Sequence, residues 1–154
     1  QFSNDANPRA HYFGTGQEIL KQFNGKIDAV VAGIGSGGTL SGIGMAIKDR
    51  YPSTLICGVQ PKGCDVLNGY AIPHIIQGIA IGQLPKVLNV SLIDEINDVE
   101  ENSVLEMKNE LAHKMGLYLG YSSIANIVGA IKVANSHPNL KNIVTIAPDG
   151  GSNY

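Results

Sequence analysis

The apolar run Ala29-Val30-Val31-Ala32 passes directly into Gly33-Ile34-Gly35-Ser36-Gly37-Gly38-Thr39, so a strand is followed at once by four glycines, a serine and a threonine. Glycines lack a Cβ, so the chain can turn with positive φ and present successive backbone N–H groups to an anion at the start of a helix. Ser36 and Thr39 add hydroxyl donors. A tight turn packed closely for steric reasons would need the glycines but not the hydroxyls, and the combination points to a phosphate at residues 35–39.

Three phosphate chemistries compete for this loop. A P-loop requires a Gly-Lys pair, whereas here Gly38 is followed by Thr39-Leu40, so no nucleoside triphosphate is indicated. Gly33, Gly35 and Gly38 satisfy G-x-G-x-x-G, but a dinucleotide also wants an acidic residue about twenty positions on to hold a ribose hydroxyl. The next strand ends in Gln60-Pro61, and Asp49 falls too early, inside the intervening helix. This favours the single phosphate of a small cofactor such as pyridoxal phosphate, which needs only loop amides and hydroxyls.

Short β-branched runs alternate with helical periods, which predicts an α/β fold in three layers: a mainly parallel, twisted sheet with helices on both faces. Ala29–Ala32, Leu55–Val59 and Ile143–Ile146 read as buried strands. Asn7–Tyr12 and Gln17–Phe23 read as short helices with Thr15 as a cap, and Leu40–Arg50 as the helix over the glycine loop. Residues 61–85 read as a long loop with one short helix. Val99–Met115 reads as an amphipathic helix with Val104, Leu105, Lys108, Leu111, Ala112 and Met115 near one face, ending at Gly116. Ile124–Ser136 reads as a buried helix. The acidic stretch Asp94 to Glu101 invites a metal reading, but its Asp98 to Glu101 suit a helix N-terminus, where negative charge meets the dipole.

The 154 residues suffice for one domain with a single core and show no repeat or linker. A net charge of −2 leaves no basic patch for nucleic acid. No apolar run reaches bilayer length and no basic-then-apolar signal opens the chain, so the default expectation is cytoplasmic, with no membrane partner. Charged residues make up only 16%, against a typical quarter, which implies that something else covers much of the surface. Cys57 and Cys64 have neither metal nor disulfide spacing and read as bystanders. His11, His113 and His137 have no nucleophile or carboxylate constellation around them in sequence and read as surface or packing residues, and His74 has no evident chemical task.

Six blocks, in order, carry a resemblance. Gln1-Phe2-Ser3-Asn4-Asp5-Ala6-Asn7-Pro8 is similar to Q-F-x-N-P-A-N-P, Thr15-Gly16-Gln17-Glu18-Ile19 to T-G-P-E-I, and Gly35-Ser36-Gly37-Gly38-Thr39 to G-T-G-G-T. Pro73 to Ile79 resembles P-H-K-I-Q-G-I, Gly120-Tyr121-Ser122-Ser123 resembles G-I-S-S-G, and Pro148 to Tyr154 resembles P-D-S-G-E-R-Y. Together they resemble the fold-type II pyridoxal-phosphate enzymes, within them the cysteine synthase (O-acetylserine sulfhydrylase) family.

The resemblance implies that residues 1–154 are the C-terminal, large cofactor-binding part of a longer enzyme. The family's Schiff-base lysine and Asn-containing substrate loop lie upstream of the matched region, and none of the nine lysines here sits in that lysine's context. No catalytic residue is therefore assigned in this chain, which alone is expected to be inactive. Gly35, Ser36, Gly37, Gly38 and Thr39 are implied to hold the phosphate of pyridoxal 5′-phosphate, and Ser122 to meet its pyridine nitrogen. Gln1, Gln77, Gly78 and Ile79 are implied to bind substrate, with Gln1 holding its carboxylate and 77–79 at the mouth; Asp149 orders the pocket. No metal is implied.

The implied reaction is β-replacement, O-acetylserine plus sulfide giving cysteine plus acetate, in a homodimer that takes amino-acid substrates and binds serine acetyltransferase. Two alternatives stand beside it: cystathionine β-synthase chemistry with homocysteine as nucleophile, and a catalytically silent homologue acting as a binding module. Ile124, Gly150, Asp5 and Ala80-Ile81-Gly82-Gln83 depart from the family pattern, which bears on substrate identity more than on fold.

Overall fold

The computed structural model describes residues 1–153. In chain order these form helices α1 (Ala6–Phe13) and α2 (Thr15–Gln22), strand β1 (Ala29–Gly33), helix α3 (Gly38–Arg50) and strand β2 (Leu55–Pro61). Strand β3 (Glu95–Val99), helices α4 (Glu101–Met115) and α5 (Tyr121–Ser136) and strand β4 (Ile143–Thr145) follow. Short 3-10 turns sit at Val66–Asn68, Val90–Leu92 and Gly151–Asn153. The described strands form one parallel sheet in the order β3-β2-β1-β4, as the alternating pattern predicts.

Successive strand side chains point to opposite faces, and this divides the core in two. Val30, Ala32 and Ile56 pack with Ile34 and with Leu40, Ile43 and Ile47 of α3. Val31, Cys57 and Val59 pack with Val104 of α4 and Ile124, Ala125, Val128 and Val133 of α5. Helices thus cover both faces, which explains why β1 and β2 read as unbroken apolar runs. Among the described residues no helix is long and apolar enough to cross a membrane.

Several expectations are corrected. Asp98 and Val99, expected at the start of a helix, instead end strand Glu95–Val99, and α4 begins only at Glu101. On α4, Val104 is fully buried, but Leu105 and Met115 are 39% and 66% exposed, so the buried stripe is narrower than the periodicity predicts. Thr15 is not a cap: Gly14 occupies that position, and the Thr15 hydroxyl pairs instead with His11 Nδ1 at 3.0 Å. Helix α5 starts three residues early, at Tyr121, with Gly120 as N-cap, because Asp149 accepts the amide of Ser123 at 2.8 Å and so satisfies the first turn from outside. Ile124, at a family glycine position, is fully buried in the second core and does not line the cleft described below.

The carboxylates of the acidic stretch disperse to separate partners. Asp94 accepts the amide of Ile56 and pairs with Lys48; Asp98 accepts from Gln60 Nε2; Glu100 pairs with Lys62; Glu101 accepts the amide of Ile75. Glu95 Oε2 lies 3.1 Å from His137 Nε2, so His137 has a carboxylate partner on the sheet edge rather than lying free on the surface. Among the described residues no group of three or more His, Cys, Asp or Glu could hold a metal ion.

Candidate functional site

At the C-terminal ends of β1 and β4, where ligands sit in open parallel sheets, a cleft of about 180 Å³ opens. Gly35, Ser36, Gly37 and Thr39 form one wall, Gly78 and Ile79 another, and Ser122, Asn126, Ile146 and Pro148 the far side, with Gln1 at the edge. Of the residues expected to contact ligand, Gln1, Gly35, Ser36, Gly37, Thr39, Gly78, Ile79 and Ser122 line this one space. Gly38 lies beside it, its amide directed to Ser36 Oγ at 3.3 Å, and Gln77 is exposed outside the lining.

The local backbone explains why glycine recurs here. Gly37, the N-cap of α3, has φ +82°, and a Cβ there would come within 2.7 Å of Leu88. A Cβ on Gly35 would lie 2.1 Å from the Gly78 carbonyl oxygen, so the 78–79 loop presses directly on the cradle. That loop is tied down by the Ala80 amide, which donates to Ile34 O at 2.8 Å.

Donor accounting shows what the cradle can take. The Gly38 amide is spent on Ser36 Oγ and the Ser41 amide on Gly37 O. Among the described residues the amides of Gly35, Ser36, Gly37 and Thr39 have no acceptor. They stand at the N-terminus of a 13-residue helix whose dipole favours negative charge. The lining includes neither lysine nor arginine, so an anion there is held by amides and hydroxyls. This donor set, on a backbone with no room for side chains at Gly35 and Gly37, fits a phosphate monoester.

Behind the wall, α1 supports both hydroxyls. Asn7 Nδ2 donates to Ser36 Oγ at 2.9 Å, while His11 Nε2 lies 3.2 Å from Thr39 Oγ1. Burial pushes the His11 imidazole below its ordinary 6.5, so the neutral ring is favoured. His11, read from sequence as a surface or packing residue, thus packs behind the loop between Thr15 and Thr39.

On the opposite side, Ser122 is buried and its Oγ donates to Asp149 Oδ1 at 2.8 Å; the same carboxylate accepts from the amide and hydroxyl of Ser123. A hydroxyl that gives its proton to Asp149 keeps lone pairs for a ring nitrogen that carries one. Ser122 is thus held by Asp149 and is not a helix cap. Between the two halves, Asn126 Oδ1 accepts the Gly33 amide at 2.7 Å and its Nδ2 donates to Ile146 O at 2.8 Å. Sequence reasoning missed Asn126, Asn7 and His11; the one local sign of Asn126 is a lone amide inside the apolar Ile124-Ala125-Asn126-Ile127-Val128 run.

The cysteine synthase of Staphylococcus aureus is 42% identical over 156 residues, covering 100% of this chain and 50% of that protein. The crystal structure of O-acetyl serine sulfhydrylase isoform 3 from Entamoeba histolytica superposes with a TM-score of 0.93 at 33% identity, over 100% of this chain and 46% of that one. That of the O-acetylserine dependent cystathionine beta-synthase from Helicobacter pylori gives 0.92 at 35% identity, over 99% and 50%. The chain spans about half the length of the curated relatives it matches. Residues 1–149 match the family described as pyridoxal-phosphate dependent enzyme, and on that match, with the phosphate-sized cradle at its centre, the chain belongs to the pyridoxal-phosphate dependent enzymes.

Proposed function

We propose that the protein carrying this chain is a cysteine synthase, converting O-acetylserine and sulfide to cysteine and acetate, and that residues 1–154 are its C-terminal cofactor-binding part. The observation that carries the reading is the row of unspent amides at Gly35, Ser36, Gly37 and Thr39 facing one cleft with Ser122 across it. When bound, pyridoxal 5′-phosphate supplies an electron sink that lets a β-substituent leave and a sulfur nucleophile add.

This chain's residues bind and orient. The amides of the cradle and the hydroxyls of Ser36 and Thr39 hold the phosphate; Gly38 shapes the loop. The Ser122 hydroxyl faces the ring nitrogen, backed by Asp149. With its proton given to Asp149, the Ser122 hydroxyl can only accept from that nitrogen, so it serves the protonated form of the ring. The Gln1 amide holds the substrate carboxylate, and Gly78 and Ile79, with Gln77 at the rim, close the mouth against water. The lysine that carries the cofactor in the family has no match in context among the lysines here, so this chain alone is inactive.

The whole protein is read as a cytoplasmic homodimer taking amino-acid substrates, with serine acetyltransferase as a partner. The exposed Phe13, Met115 and Tyr118, at 65%, 66% and 57%, are the apolar surface such contacts or the remainder of the protein would cover.

Homocysteine as nucleophile is the second reading, favoured by the departure at Ala80-Ile81-Gly82-Gln83 beside the mouth and by the likeness to the Helicobacter protein. The test is the whole protein, loaded with pyridoxal 5′-phosphate and given O-acetylserine with sulfide or with homocysteine. Cysteine as the faster product supports the first reading and cystathionine the second. A protein with no visible absorbance that borohydride abolishes, and no product, is a silent binding module.

A further inference from the structure

Asn7, on α1, is placed where no ligand contact is assigned, yet its one NH2 group serves two parts of the site. Nδ2 donates to the Gln1 carbonyl oxygen at 2.8 Å and to Ser36 Oγ at 2.9 Å. The orientation of the amide is fixed chemically, because the Gln1 carbonyl can only accept and would repel Oδ1. The approach depends on Gly38, where a Cβ would fall 2.1 Å from Asn7 Oδ1.

Ser36 Oγ therefore accepts twice, from Asn7 Nδ2 and, at 3.3 Å, from the Gly38 amide. A hydroxyl has two lone pairs and one proton, so both acceptor positions are taken and the proton remains to be given. Ser36 lines the cleft. We propose that Asn7 is a positioning residue that fixes Ser36 as a hydrogen-bond donor to the cofactor phosphate and, through the same NH2 group, ties the Gln1 end of the site to the phosphate cradle.

This inference rests on the cradle reading above and deepens it. Without Asn7, the Ser36 hydroxyl is free to rotate and to accept from other donors, and the first residue of the substrate-binding segment loses its anchor to the loop. The effect on cofactor binding acts through Ser36, so there it is confined to ligands that bear the phosphate.

The test is a double-mutant cycle in the whole protein, reading dissociation constants for pyridoxal 5′-phosphate and for pyridoxal, which lacks the phosphate. Ser36→Ala is expected to weaken pyridoxal 5′-phosphate about tenfold, the scale of one hydrogen bond to a charged group. Asn7→Ala is expected to weaken it to a similar degree, the double variant no more than Ser36→Ala alone, and pyridoxal binding to change in none of them. Should Asn7→Ala not fold, Asn7→Leu, which restores the volume without the donors, takes its place in the cycle. If Ser36→Ala and Thr39→Val both leave pyridoxal 5′-phosphate binding intact, the cradle reading itself fails. If Ser36→Ala weakens binding but the Asn7 variant does not, or the two effects add, the cradle stands and the role given to Asn7 is overturned.

Discussion

Asn126 and Gly33, 93 residues apart, are joined where β1 ends: Asn126 Oδ1 takes the Gly33 amide at 2.7 Å. Its Nδ2 meets Ile146 O just beyond β4, so one side chain, itself only 3% exposed, satisfies two neighbouring strands where they open onto the cleft. Parallel strands stop pairing at their ends, and the freed backbone groups need another partner.

Replacing Asn126 by leucine keeps its volume and strands both backbone groups in the interior. Each unmet buried group costs about 1–3 kcal/mol, so Asn126→Leu is expected to lose about 3 kcal/mol in urea unfolding. A loss below about 1 kcal/mol would show that the amide is ornamental.

Ala80 has φ +51°, the left-handed region, at a position where the family pattern has glycine. It is nearly buried and its amide holds the 78–79 loop to Ile34, so the conformation is imposed by its surroundings. Left-handed backbone costs an alanine about 1 kcal/mol, close to what its buried methyl contributes. Ala80→Gly is expected to change stability by less than about 1 kcal/mol, whereas Ala80→Val, β-branched at positive φ, should cost more than about 2 kcal/mol. Equal thermal midpoints for the two variants would contradict this account.

Cys57 tests the second core. Burial first, and then the Glu95 carboxylate beside it, push its thiol up to about 12. The thiolate is the reactive form, and Cys64 is also buried. Iodoacetamide at about pH 8 is expected to modify neither cysteine in the folded protein and both in urea, as read by intact mass. Rapid labelling of Cys57 without denaturant would mean that β2 opens.

What sequence alone made legible follows from how each element is buried. β1, β2 and α3 were read correctly because they are covered on all sides, leaving continuous apolar runs and a glycine loop between them. β3 was missed because it is an edge strand: Glu95, Asn97 and Asp98 find His137, Cys57 and Gln60 as partners, and such polar residues mask strand periodicity. The glycine loop was local and could be read; its supports were not. Asn7 reaches Ser36 across 29 residues and Asn126 reaches Gly33 across 93, and no local pattern records a contact that only the completed fold makes.

His11 supplies a pH signature for the layer behind the cradle. Its imidazole lies between Thr15 Oγ1 and Thr39 Oγ1, and burial lowers its folded value below the 6.5 of the open chain. The neutral ring can accept at Nδ1 and donate at Nε2, which leaves the Thr39 proton for an anion; the charged ring would donate at both nitrogens. Between the folded value and 6.5 the unfolded chain binds more protons, so stability rises with pH across that window. The contribution is complete above 6.5 and is lost as the pH falls toward the folded value. His11→Gln, which does not titrate, is therefore expected to lose less of its urea midpoint than the parent between about pH 7.5 and about pH 5. The same fall in both proteins would show that His11 does not titrate differently in the folded and unfolded states.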